Sequence, residues 1–144
     1  MRVTCISLIL AFLPFAAAAA DKWSAKRALA AVEAGQIILI DIRSAAEWQR
    51  TGVARGALPL DMTSPFFAED LTRVLRARKS RPVAIICATG IRSARLAATL
   101  EAQGHAPVIN VAEGMRGNLR GVGWIALGLP VVTAREAARA LPPD

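Results

Sequence analysis

The stretch that decides the fold of this chain is Val83-Ala84-Ile85-Ile86-Cys87-Ala88-Thr89-Gly90-Ile91-Arg92-Ser93. Its first four residues form a short apolar run of the kind that makes a buried strand. A cysteine ends the run, a short loop with Gly90 and Arg92 follows, and a helix is predicted from Ser93 to Gln103. The Cys87 thiol is therefore expected at the carboxyl edge of a sheet, facing a helix N-terminus, where backbone N–H groups and the helix dipole favour an anion. A cysteine in such a field is expected to be a thiolate, and hence a nucleophile.

Helices and strands alternate along the rest of the chain. Apolar strands are predicted at residues 37–41, 57–60, 83–86 and 108–111. Between and after them, helices are predicted over residues 24–34, 44–50, 93–103, 124–127 and 133–140. Ser24 is the predicted cap of the first, Ser44 and Glu47 form a predicted capping box for the second, and one more helix is predicted that Ser64 caps and Pro65 begins. Strands that are apolar throughout and separated by helices predict an α/β fold, with a mainly parallel sheet covered by helices on both faces. Ligands of such folds bind at the carboxyl ends of the strands, which is where Asp41 and Cys87 lie.

The N-terminal residues have the pattern of an export signal. Residues 3–20 are almost entirely apolar, they end in a run of alanines, and Asp21-Lys22-Trp23 is abruptly polar. This layout predicts a secretory signal peptide over residues 1–20, cleaved after Ala18-Ala19-Ala20. The alternative is a retained membrane anchor, since the apolar stretch nearly reaches the length of a spanning helix. We expect a periplasmic or secreted protein, residues 21–144, that forms one domain and has no membrane association once the signal is removed.

Composition excludes several classes of function. The chain has 144 residues and a net charge of +7, but no long Lys/Arg run and no nucleic-acid-binding motif, so nucleic acid is not an expected partner. The charge is read either as a solvated basic face or as a field that attracts small anions. Cys5 would leave with the signal, so Cys87 has no partner for an intramolecular disulfide. His105 is the only histidine, and no metal or cofactor is expected.

Four sequence motifs resemble the rhodanese-like family of sulfurtransferases, over about residues 24–132. They are Leu39-Ile40-Asp41-Ile42-Arg43 with Glu47-Trp48 and Gly52, Gly56-Ala57-Leu58-Pro59-Leu60, Ile86 to Ser93, and Glu113-Gly114 with Gly123-Trp124 and Gly128-Leu129-Pro130-Val131. Two departures stand out: Val53-Ala54-Arg55 replaces the family's His-Ile-Pro, and residues 115–123 look like an insertion. The resemblance implies a rhodanese-like three-layer sandwich.

Sulfur transfer is the chemistry that these residues predict. A Cys87 thiolate would take the sulfane sulfur of thiosulfate or a persulfide, and the Cys87 persulfide would pass it to cyanide or a thiol. The substrate-binding candidates are the six residues that follow the cysteine: Ala88, Thr89, Gly90, Ile91, Arg92 and Ser93. Four residues separate Cys87 from Arg92, against five in Cys-dependent phosphatases, which this layout also resembles. The smaller ring suits one sulfur atom better than a phosphoryl group.

Each of the candidate site residues also has a simpler interpretation. Cys87 could be a buried structural cysteine, and Asp41 with Arg43 is read as an ion pair that supports the site by fixing the strand end. Ser93 either caps its helix or hydrogen-bonds the sulfur, and Arg92 either stabilises the loop or contacts substrate. The further arginines Arg55 and Arg116 are either anion contacts or merely exposed.

Two other functional classes stay open. A non-catalytic rhodanese-fold binding module would use the same pocket to recognise a partner or an anion. A thiol-redox protein would need an intermolecular disulfide, because no second cysteine is available to resolve it. The sequence names no protein partner.

Overall fold

The parallel sheet predicted from the apolar strands is present in the structure, a computed structural model that describes residues 22–143. The elements in chain order are β1 (Lys22–Trp23), α1 (Ala25–Glu33), β2 (Ile38–Asp41), α2 (Ala45–Thr51), β3 (Val53–Ala54), β4 (Ala57–Pro59), α3 (Phe67–Ala77), β5 (Val83–Ile86), α4 (Ile91–Ala102), β6 (Val108–Val111), α5 (Gly123–Ala126), β7 (Val131–Val132) and α6 (Ala134–Ala138). The signal peptide predicted at residues 1–20 lies outside the described residues and stays a prediction.

Five strands form one parallel sheet in the order β1-β6-β5-β2-β4. The central strand β5 carries the apolar run that precedes Cys87. The edge strand β4 holds Pro59, which suits an edge because proline cannot donate a ladder hydrogen bond. Strand β1 and the antiparallel pair of β3 with β7 were not predicted. Each of these strands has only two residues, too few to show a sequence period.

Successive side chains along each strand point to opposite faces of the sheet, and each face has its own hydrophobic core. Val83, Ile85 and Cys87 pack on the side that α3 and α4 cover. Ala84 and Ile86 pack on the other side, against α1, α5 and α6. Helices thus cover both faces, which confirms the predicted three-layer α/β fold. No helix within residues 22–143 is long and apolar enough to cross a membrane.

Two helix starts follow the prediction and a third does not. Ser24 caps α1, and Ser44 with Glu47 forms the expected capping box of α2. The prediction that Ser64 caps a helix begun by Pro65 is wrong, because α3 begins at Phe67 with no side-chain cap. The Ser64 Oγ accepts a hydrogen bond from the Phe66 N–H, and its carbonyl accepts one from Phe67, so it closes a turn that precedes the helix.

Candidate active site

Cys87 lies at the carboxyl edge of the sheet, as predicted. Asp41 ends β2 in register with Ile86, the last residue of β5, and the cysteine follows directly. The thiol is fully buried, and α4 begins four residues later, at Ile91. Gly90 precedes this helix with a left-handed backbone, at φ 78°. A Cβ atom at that position would also collide with the Ala112 carbonyl, so this tight turn requires glycine.

Ser93 does not open its helix, and the prediction that places the helix start there is wrong by two residues. It lies within the first turn of α4 and faces the cysteine. Its backbone nitrogen is 3.5 Å from the Cys87 Sγ, and its Oγ is 3.3 Å from the same sulfur. Of the two roles predicted for Ser93, the structure therefore places it for the hydrogen bond to sulfur and not for capping.

A buried asparagine completes the surroundings of the sulfur. The Ser93 Oγ lies 2.7 Å from Asn110 Oδ1, and the Asn110 amide donates to the Gly90 carbonyl at 3.3 Å. Because the serine hydroxyl has a single proton, it donates to one partner at a time. It can donate to Asn110 while the sulfur is a thiol, and to the sulfur when that is an anion. Asn110 was missed at the sequence level, although it is the one polar residue in the apolar strand β6.

The segment after β6 holds the carbonyl groups of the cysteine loop. The Met115 N–H donates to the Cys87 carbonyl at 2.9 Å, and the Arg116 N–H donates to Ala88 at 2.8 Å. The Asn118 amide donates to the Thr89 carbonyl at 2.6 Å and to Ala112 at 2.8 Å. Because the 115–123 segment binds these carbonyl groups, it holds the backbone of the cysteine loop in place. The 115–123 segment is therefore part of the site.

Asp41 and Arg43 form the predicted ion pair, and both side chains are buried. The guanidinium donates to both carboxylate oxygens, with Nη2 2.7 Å and Nε 3.0 Å from them. It also donates to Thr51 Oγ1 at 2.7 Å and to the Gly52 carbonyl at 2.6 Å. The pair thus ties the end of β2 to the end of α2, which is the supporting role predicted for it.

Arg92 has a partner that was not predicted. Its guanidinium makes a two-pronged contact with Glu47, with Nη2–Oε1 at 2.6 Å and Nη1–Oε2 at 3.0 Å. This contact lowers the pKa of Glu47 to about 2, with the bond to the Ser44 N–H as a further cause, and it raises the pKa of Arg92. The pair joins the capping box of α2 to the first turn of α4. Arg92 is thereby held beside the cysteine loop with about a third of its side chain exposed.

Removing the charge of Glu47 should destabilise the fold in a pH-dependent way. At neutral pH we expect Glu47→Gln to lower the free energy of unfolding by about 1 kcal/mol, since glutamine keeps the capping bond but loses the ion pair. The folded pKa of about 2 lies below the ordinary value of 4.5, so the contribution is complete above 4.5 and is lost as the pH falls toward 2. Urea unfolding of both proteins should show the stability gap closing over that range.

The matched control is Glu69→Gln, which removes an exposed carboxylate from the first turn of α3. It should produce a smaller gap at neutral pH. A Glu47→Gln gap that did not change with pH, or that Glu69→Gln reproduced, would contradict the role of the ion pair.

The remaining predicted site residues differ in where they lie and in how exposed they are. Ala88 and Gly90 are buried in the loop, Thr89 is half-buried, and Ile91 is exposed at the start of α4. Arg55 lies 3.7 Å from Glu33 in an exposed pair, which gives it a partner other than a bound anion. Arg116 is exposed beside the loop. The structure therefore gathers Cys87, residues 88–93 and the Asp41–Arg43 pair at one sheet edge, and adds Glu47, Asn110 and Asn118.

Known proteins share this architecture and part of this sequence. The model of the Rhodanese-like domain family matches residues 24–118. A protein of Allochromatium vinosum named "Sulfurtransferase" is 32% identical over 112 residues, which cover 78% of this chain and 92% of that protein. The crystal structure of Rv0390 from M. tuberculosis is 28% identical, with a TM-score of 0.60, over 77% of this chain and 96% of that chain. The rhodanese-like domain of Alr3790 from Anabaena sp. shares the fold at 20% identity, with a TM-score of 0.57, over 85% of this chain and 86% of that chain.

Proposed function

Because the chain belongs to the rhodanese-like family, we propose that it transfers sulfane sulfur from thiosulfate or a persulfide, through a Cys87 persulfide, to cyanide or a thiol. Sulfurtransferase activity is supported at the level of the family, while the donor and the acceptors are the proposal. The observation that carries it is the sulfur of Cys87, which meets the N–H and the hydroxyl of Ser93 at the start of a twelve-residue helix.

The first half-reaction loads the cysteine. The Cys87 thiolate attacks the outer sulfur of thiosulfate, a new S–S bond forms, and the S–S bond of thiosulfate breaks as sulfite leaves with its electron pair. The electron pair on Cys87 that makes the attack is stabilised by the Ser93 donors and by the positive end of α4. The terminal sulfur of the persulfide is an anion as well. We expect the N–H groups of residues 88–92 to hold it, since the loop carbonyls are engaged by the 115–123 segment.

The second half-reaction unloads the cysteine. A nucleophile attacks the terminal sulfur, the S–S bond to Cys87 breaks, and its electron pair returns to the cysteine as a thiolate. Cyanide then leaves as thiocyanate, and a thiolate leaves as a persulfide, so no external oxidant or reductant is needed. Covalent transfer in two steps predicts ping-pong kinetics. Glu47 holds the Arg92 guanidinium in place beside the loop in both half-reactions.

Two measurements on the purified protein test this function. Intact mass after incubation with thiosulfate alone should rise by one sulfur atom on Cys87, and cyanide should remove that atom. Thiosulfate and cyanide together should yield thiocyanate with ping-pong kinetics. If neither thiosulfate nor an organic persulfide loaded the cysteine of a folded sample, the enzyme would be ruled out in favour of the binding module.

A further inference from the structure

A cleft of about 380 Å³ lies next to the cysteine loop. The residues that line it are Arg43, Glu47, Arg50, Thr51 and Arg116. One wall comes from the end of β2 and from α2, and the other comes from the 115–123 segment. The proposed sulfur chemistry takes place on residues 87–93 and leaves this cleft without a role.

The cleft carries two guanidinium groups that no carboxylate in residues 22–143 neutralises. The charge of Arg43 is balanced by Asp41, and that of Glu47 is balanced by Arg92. Arg50 and Arg116 are exposed, and within the described part of the chain their side chains have neither an ion pair nor a hydrogen bond. A guanidinium presents a fork of donors that matches a carboxylate, and a concave site with one sign of charge concentrates the opposite ion.

The backbone connects this cleft to the thiol on both sides. Glu47 is bonded to Arg92, which belongs to the first turn of α4. Arg116 donates its backbone N–H to the Ala88 carbonyl, one residue after the cysteine. The lining nevertheless includes none of residues 88–93. An anion bound here therefore lies beside the sulfur and not on it.

The position of the cleft beside the cysteine loop determines which kind of ligand could use both. Thiosulfate joins its reactive sulfur directly to its anionic group, so an ion held by the two arginines would keep that sulfur in a cleft whose lining does not include the loop. A thiol that carries a carboxylate several bonds away can place the carboxylate between Arg50 and Arg116 and extend its sulfur to the loop. We infer that the cleft is the carboxylate-binding part of an acceptor site for small carboxylate-bearing thiols. This inference rests on the proposed sulfur transfer and adds to it the class of acceptor.

The geometry also assigns a role to the 115–123 segment. Its backbone bonds to the carbonyls of Cys87 and Ala88 position Arg116 relative to the thiol. The Asn118 amide, bonded to Thr89 and Ala112, fixes the same segment at a further point. The segment therefore both shapes the sulfur-binding loop and supplies one of the two cleft arginines.

Acceptor thiols that differ only in charge test the inference. The protein is loaded with thiosulfate and unloaded by ω-mercaptocarboxylates of increasing chain length, each compared with its methyl ester at equal thiolate concentration. The acid should be preferred over the ester at one favoured length. Arg50→Gln and Arg116→Gln should each reduce that preference by about fivefold, the effect of one partly screened charge contact, and the double variant should reduce it further.

Arg120→Gln is the matched control, because it removes the same charge from the same segment at a residue that does not line the cleft. It should leave the preference as it is in the natural protein. An equal rate for acid and ester at every length, a preference that survives in the double variant, or an equal loss in Arg120→Gln would each overturn the inference. Transfer to the esters reports on sulfur chemistry alone, so failure of the proposed function would appear separately, as no transfer to any thiol or to cyanide.

Discussion

Cys87→Ser is expected to abolish sulfur transfer, lowering kcat/KM by at least about 10³-fold, because the alcohol is a far weaker nucleophile and cannot form a persulfide. The fold should be retained. Serine is close to cysteine in volume, and its hydroxyl keeps a polar group facing the Ser93 donors. Thiocyanate formation measures the loss, intact mass should show no gain of sulfur, and circular dichroism checks the fold.

Ser93→Ala separates the effect of losing the nucleophile from the effect of changing the groups around it. It removes the hydroxyl donor to the sulfur but keeps the cysteine and the backbone N–H, so kcat/KM should fall by only about tenfold, the effect of one hydrogen bond to a charged group. Persulfide should still form on Cys87. Activity that survived in a folded Cys87→Ser protein would show that sulfur is carried elsewhere, and the proposed mechanism would be wrong.

Arg43→Met should cause the largest loss of stability. The substitution leaves the Asp41 carboxylate buried without its counter-charge, and it also removes the donors to Thr51 and Gly52. Breaking a buried ion pair from one side costs about 3–5 kcal/mol, which is a large part of the total stability of a small domain. Urea unfolding followed by circular dichroism measures the change in the free energy of unfolding.

A double variant tests whether the buried charge is the cause. Asp41→Asn in the Arg43→Met background removes the uncompensated charge, so the double variant should be more stable than the single one. Arg43→Lys, which keeps the charge but loses the two-pronged contact, should fall between Arg43→Met and the natural protein. A loss below about 1 kcal/mol in Arg43→Met, the value typical of surface pairs, would show that the pair does not hold the strand end.

Most of the fold could be predicted because its signals are local. The apolar runs that become β2, β5 and β6 each span four residues, and helices with recognisable caps separate them. Pattern and capping together imply helices on both faces of a parallel sheet. The starts of α3 and α4 were predicted at the wrong residues, and the cause is local as well. Ser64 and Ser93 are typical cap residues, but Ser64 is used in a turn and Ser93 faces the sulfur.

Less of the site could be predicted, because its contacts join distant parts of the chain. Glu47 and Arg92 are 45 positions apart in the sequence, and Thr89 and Asn118 are 29 positions apart. Nothing in the spacing of one sequence pairs such residues. Glu47 could be recognised only as a capping residue, and Asn118 only as a polar residue in an irregular segment. Both lie beside the cysteine because parallel strands bring their carboxyl ends to one edge of the sheet.

The sequence by itself determined the α/β class, the place of Cys87 at a strand end before a helix, and the family to be expected, since all of these are written in short runs of neighbouring residues. Tertiary structure alone decided how the cysteine is surrounded. It bound Arg92 to Glu47, turned Ser93 toward the sulfur, and bonded residues 115–118 to the loop carbonyls. It also left Arg50 and Arg116 facing one cleft. The physical reason is that strand and helix patterns arise from interactions within a few residues, whereas charge pairing and burial depend on which segments the completed fold brings together.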